Sequence, residues 1–126
     1  MPLRTPRSTP EQINGILFIV KQSISNGKFR FLESRFKNMK TLARLGFVTQ
    51  NVYDIIFELS FENYLNGPVD DRDISEDIDT IWEFGYDLDK DPIYIKIKVK
   101  DLDDVIGISF HIAEKPFVFH YKGIAY

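Results

Sequence analysis

The sequence predicts an α+β domain in which N-terminal helices pack on one face of a mainly antiparallel sheet. Three observations predict it. Apolar residues recur at helical spacing as far as Leu59, the apolar period becomes two from Ile81 onward, and a Gly-Pro pair with a run of acids separates the two regimes. At 126 residues and 14.7 kDa the chain reads as a single domain, 1–126, large enough for one core. Its parts are a helical region over about residues 9–59, an acidic loop over about 63–79 and an antiparallel sheet over about 80–122.

Thr9-Pro10-Glu11-Gln12 is a helix start: Thr9 caps, Pro10 suits the first helical position, and Gln12 stands where a capping-box side chain reaches back. Ile13, Ile16, Leu17, Val20 and Ile24 then mark one face, and Ser25-Asn26-Gly27 ends the helix. Lys28 to Phe31 reads as a brief extended piece. A second helix over Ser34 to Leu45 ends at Gly46, a suitable left-handed C-terminal position. Thr49 is the expected cap of a third, whose face is Val52, Ile55, Ile56 and Leu59.

From Asn63 to Asp79 the reading is a loop, with Gly67-Pro68 and six acids between Asp70 and Asp79. Those acids lack the ligand spacing and the glycine of an EF-hand, so a solvated acidic loop is expected there and no metal site. Three strands follow. Trp82, Phe84 and Tyr86 share one side of the first, and Ile93, Ile95, Ile97 and Val99 share one side of the second. In the third, Ile106, Ile108, Phe110 and Ile112 are assigned to the apolar side, which turns Ser109 and His111 to the other. The run after Ala113 reads as an added edge strand that would bring His120 or Lys122 to the border of a site; the plainer alternative for His120 is an exposed tail residue.

Composition narrows the chemistry. With no cysteine, disulfides, thiolate nucleophiles and cysteine-based zinc sites are excluded. No signal-peptide apolar run opens the chain, the longest strictly apolar stretch nearby being Ile16 to Val20, so a cytoplasmic protein without membrane attachment is expected. The net charge of −3 conceals a segregation. Residues 1–50 carry nine Lys/Arg against two acids, a net of +7, and residues 51–126 carry seven against seventeen, a net of −10. A basic half attracts polyanions; an acidic half suits a basic partner or solubility alone.

Hairpin turns at Leu88 to Asp91 and at Asp101 to Asp104 set the register. They place Trp82 opposite Ile97, Phe84 opposite Ile95, Glu83 opposite Lys96, Lys96 opposite Ser109 and Tyr94 opposite His111. One sheet face then gathers Glu83, Tyr94, Lys96, Ser109 and His111, with directly opposed Cβ atoms about 5 Å apart. A carboxylate, a phenol, an ammonium and an imidazole together suit metal-free RNA cleavage: a base for the ribose 2′-hydroxyl, an acid for the leaving 5′-oxygen and a cation for the phosphate. His111 is the acid or base, Glu83 orients or activates it, Lys96 neutralises charge and Tyr94 donates a hydrogen bond. Lys98, with Arg72 from the acidic loop, is a candidate phosphate contact, and Tyr64 a candidate platform for an unpaired base. Any half-exposed antiparallel sheet also shows mixed polar residues on its wet face, the bland alternative.

The segments D-T-I-W-E at 79–83, Y-I-K-I-K-V at 94–99 and I-S-F-H at 108–111 resemble the MqsR (motility quorum-sensing regulator) family of bacterial toxins. The R-T-P near the N-terminus and L-S at 59–60 fit the same order, and the similarity is strongest over about residues 59–112. The resemblance implies a RelE/YoeB-like microbial ribonuclease fold and the toxin half of a type II toxin-antitoxin system. Such a toxin is an mRNA interferase, a hydrolase cutting messenger RNA at short preferred sequences without metal or other cofactor. Its partners would be mRNA and a cognate antitoxin, with the ribosome a further candidate. Tyr94 then matches a family site tyrosine and Lys96 a family lysine. Glu83 stands where the family has glutamine, His111 where it has lysine, and Asn66 aligns loosely with another family lysine, making it a candidate substrate contact. Glutamate adds a possible base, and histidine exchanges a fixed cation for a group that moves protons. The alternative function is a non-catalytic protein-interaction module of the same fold, binding its partner through the acidic surface. A small-molecule enzyme is disfavoured because the chain holds no glycine-rich phosphate loop.

Overall fold

The computed structural model describes residues 6–70 and 80–124. Helix α1 (Pro10–Ser25) is followed by strand β1 (Phe29–Phe31), helices α2 (Phe36–Leu45) and α3 (Thr49–Glu58), and a 3-10 turn at Phe61–Asn63. Strands β2 (Tyr64–Asp70), β3 (Thr80–Leu88), β4 (Asp91–Asp101) and β5 (Asp104–Ile112) complete the order. The fold is α+β, as the change of period predicts. The strands form one five-stranded sheet ordered β1-β5-β4-β3-β2, antiparallel except for β1 on β5.

The local signals act as expected at α1. Gln12 N–H donates to Thr9 Oγ1 at 3.2 Å and Thr9 N–H to Gln12 Oε1 at 2.9 Å, a reciprocal capping box. Gly46 takes the left-handed conformation, φ 69°, behind α2. The third helix differs: its N-cap is Val48, whose N–H donates to Asn51 Oδ1 at 2.8 Å, while Thr49 lies inside the helix and donates its hydroxyl to Glu33. The side chain that caps comes from three residues downstream, so Thr49 is not needed.

The helices bury Ile13, Leu17, Val20, Leu42, Val52, Ile55 and Ile56 against Trp82, Phe84, Ile93, Ile95, Ile97, Val99 and Phe110. That core occupies one face of the sheet. The β3–β4 hairpin has the expected register throughout, with Trp82 opposite Ile97 and Phe84 opposite Ile95, and β4–β5 has it from Ile93 to Lys96, with Tyr94 opposite His111. Two-residue turns close them at Asp89-Lys90 and Leu102-Asp103.

Four expectations change. Residues 64–70 are not loop but strand β2, which pairs with β3 through two register shifts. Gly67 makes this possible: with φ 133° and a Cβ position only 3.0 Å from the Ile81 carbonyl oxygen and the Trp82 ring, it admits no side chain. The rest of the acidic loop, residues 71–79, lies outside the described residues, and with it Arg72. Secondly, β5 bulges between the partners of Lys96 and Ile97. Val105 and Gly107 therefore face the core, and Ile106, expected there, lies opposite Lys98 and is half-buried. Thirdly, among the described residues the run after Ala113 adds no strand; the described sheet ends with β5 at Ile112, not about 122, because α2 covers the β5 edge beyond β1 and Phe117 packs on Gly85 of β3 instead. Residues 113–124 instead cross the sheet face opposite the core. Fourthly, Tyr64 is fully buried, which removes it from any surface role.

Beyond β1 the rest of the β5 edge is covered by α2. Asn38, 1% exposed, donates from Nδ2 to the Ile108 carbonyl at 2.9 Å and accepts the Phe110 N–H on Oδ1 at 2.9 Å, standing in for a strand partner. Thr41 Oγ1 accepts the Ile112 N–H at 3.2 Å. These bonds fix the backbone on either side of Ser109 and His111.

Candidate active site

The face opposite the core is a floor with four walls. Glu83 of β3, Tyr94 and Lys96 of β4, and Ser109 and His111 of β5 form the floor of a cavity of about 970 Å³. The start of α2 (Arg35 to Asn38), Leu65 and Asn66 of β2, Pro6 and Arg7, and the C-terminal run from Ala113 to Val118 with His120 form the walls. The C-terminal wall is seated by Phe117 over Gly85, where a Cβ would stand 2.8 Å from the Phe117 ring. It is tied down by Tyr121 Oη donating to the Ser8 carbonyl at 2.7 Å and by Lys122 to Asp87 at 2.9 Å.

The polar centre is one connected group. Tyr94 Oη donates to Glu83 Oε2 at 2.6 Å, and Asn66 Nδ2 donates to Glu83 Oε1 at 3.3 Å. The Tyr94 and His111 rings lie 5.4 Å apart at 40°. Burial first, then the Glu83 carboxylate as acceptor and negative charge, raises the Tyr94 hydroxyl far above the ordinary phenol range. Tyr94 is therefore a fixed proton donor, unsuited to act as a base. His111 Nδ1 lies 2.9 Å from the Ile112 carbonyl oxygen, an acceptor only, so Nδ1 carries the hydrogen and the lone pair of the neutral ring is on Nε2.

The expected orientation of His111 by Glu83 is not what holds the ring. Glu83 directs both oxygens to Tyr94 and Asn66, and the backbone of the next residue orients the imidazole. Glu83 and His111 instead flank Tyr94. The ammonium of Lys96, opposite Glu83 and Ser109, makes no hydrogen bond or ion pair among the described residues and is available to an anion. Ser109 is 8% exposed and contributes to the floor beside it.

The remaining candidates separate. Asn66 joins the site through Glu83, as just described. Tyr64 does not: its hydroxyl donates to the Gly67 carbonyl at 2.6 Å and its ring packs among Trp82, His120 and Tyr121. Lys98 is one pair further along β4 than Lys96, opposite Ile81 and Ile106, and does not line this cavity. Lys122 is engaged by Asp87 away from the floor, whereas His120 lines the wall. Sequence reasoning missed Arg7, Arg35 and Lys37, because no local pattern announces that a chain terminus and a helix start converge on a sheet face; the excess of basic residues in the first fifty was the available signal.

Among the described residues no cluster of His, Asp and Glu has the arrangement to hold a metal ion, and no helix is long and apolar enough to cross a membrane. No protein-family profile, no curated protein and no solved structure matches this chain.

Proposed function

We propose that this chain is a metal-independent endoribonuclease, the mRNA-cleaving toxin of a toxin-antitoxin pair, with a RelE/YoeB-like fold and a cognate antitoxin that restrains it. The observation that carries the reading is the Glu83-Tyr94-His111 group with an uncommitted Lys96 on the floor of one cavity. An in-line displacement at phosphorus needs two proton-transfer groups on opposite sides of the phosphate, and Glu83 and His111 flank Tyr94 in that manner. Glu83 Oε1, which among the described residues accepts only the 3.3 Å contact from Asn66, takes the 2′-hydroxyl proton. The 2′-oxygen bonds to phosphorus as the bond to the 5′-oxygen breaks, and His111, protonated at Nε2, supplies the proton that the departing oxygen takes up. Cyclic 2′,3′-phosphate and 5′-hydroxyl ends result. Lys96 offsets the charge on the non-bridging oxygens, and Tyr94 holds Glu83 in place. The sequence resemblance supports the same reading, since its two direct matches, Tyr94 and Lys96, are both on this floor.

The test is inducible expression in bacteria of wild type, His111→Ala and Glu83→Gln, with growth followed and transcript ends mapped. Growth arrest and new 5′-hydroxyl ends in the wild type alone are expected, and purified protein should cut RNA equally well with a chelator present. Identical transcript ends in all three strains would overturn the proposal.

A further inference from the structure

A second cavity, of about 290 Å³, shares His111 with the first and runs along α2. Its helical wall is Lys37, Lys40, Thr41 and Arg44, and Glu114 stands at its far side. Lys37, Lys40 and Arg44 recur at i, i+3 and i+7, so they form one stripe, and α2 contains no acid. Two of the three have acidic neighbours: Lys37 pairs with Glu114, and Arg44 with Asp91 at 3.3 Å. Both basic side chains are exposed, 61% and 66% accessible, and surface pairs of this kind exchange readily for another anion. Lys40 has no acidic partner among the described residues and lies over the Phe36 ring at 5.9 Å, while Phe36 itself is 70% exposed at the junction with the main cavity.

We propose that this stripe is the track for the RNA strand on one side of the cleavage site, with Lys37, Lys40 and Arg44 holding successive phosphates and leading the chain to His111. This deepens the ribonuclease reading and rests on it. The dimensions suit a strand: Lys37 to Arg44 spans about 10.5 Å of helix axis, the length of about three stacked nucleotides. An acidic protein segment would also meet the charge, but the stripe leads into the floor that holds Lys96 and His111, where a phosphodiester has groups to react with and a peptide has none.

The experiment measures binding of a short, non-cleavable 2′-O-methyl oligoribonucleotide by fluorescence anisotropy across a salt series. The wild type is compared with a Lys37→Ala/Lys40→Ala/Arg44→Ala variant and with Glu114→Gln, which breaks the tie to the C-terminal run but keeps the cation. Releasing three phosphate contacts should weaken binding at least tenfold at moderate salt and flatten the slope of log affinity against log salt by about 2. Glu114→Gln should bind as well as the wild type or better. Unchanged affinity and slope in the triple variant, or an equal loss in Glu114→Gln, would overturn the track. So would loss of binding to a poly-glutamate peptide with oligoribonucleotide binding intact, which would assign the stripe to a protein partner. Stripe-dependent binding without any RNA cleavage by the wild type would refute the catalytic reading and leave the track standing.

Discussion

Tyr94 Oη donates a 2.6 Å hydrogen bond to Glu83 Oε2, joining the middle strand of the sheet to its neighbour on the face away from the core. That bond ties β4 to β3, and the Tyr94 ring lies 5.4 Å from that of His111, its partner on β5. Since burial and the carboxylate hold the Tyr94 proton, Tyr94→Phe removes the tie without removing a titrating acid or base. The expected result is a fall in RNA cleavage of about 10²-fold or more with the shape of the pH profile retained. A missing alkaline limb in the variant would instead make Tyr94 the acid.

Neighbours on β5 should separate stability from activity. Phe110 is 1% exposed in the core, so Phe110→Ala should cost about 3–5 kcal/mol in urea denaturation. His111 is half-buried on the other face, and His111→Ala should cost no more than about 1 kcal/mol while reducing cleavage by about 10² to 10⁴. Comparable destabilisation by the two would show that His111 is a packing residue.

Asn38 closes the edge of β5 with two hydrogen bonds, to the Ile108 carbonyl and from the Phe110 N–H, and makes a third to the Leu32 carbonyl. Asn38→Ala leaves the buried Phe110 N–H without its acceptor, which should cost on the order of 3 kcal/mol. Amide hydrogen exchange at Phe110 should also speed up. Unaltered exchange there would mean that another group closes the edge.

Tyr86 provides a pH dependence away from the site. Its hydroxyl donates to Glu58, and that bond, with burial second, pushes it up to about 12 from an ordinary value near 10. A tyrosine raised on folding contributes stability that is complete below the unfolded value and is lost as pH rises through the folded one. The urea midpoint of Tyr86→Phe should therefore decline less steeply than that of the wild type between pH of about 10 and 12. Parallel declines would refute the contribution.

By itself the sequence determined the α+β class, the α1 capping box, the left-handed end of α2, the register of the β3–β4 hairpin and that of β4–β5 from Ile93 to Lys96. These depend on groups close along the chain: Thr9 with Gln12, and strict alternation across turns of two residues. Because side chains alternate along each strand, Glu83, Tyr94, Lys96, Ser109 and His111 are assigned to one face by the sequence alone. Only tertiary structure decided what required distant segments to meet. Tyr64 is buried because β2 joins the sheet, Ile106 leaves the core because β5 bulges, and Asn38 reaches across from α2 to close that strand. The C-terminal run becomes a wall because Gly85 leaves a seat for Phe117. Local periodicity fixes which way a side chain turns along its own strand. What covers it is set by packing among segments tens of residues apart, for which the chain carries no local pattern.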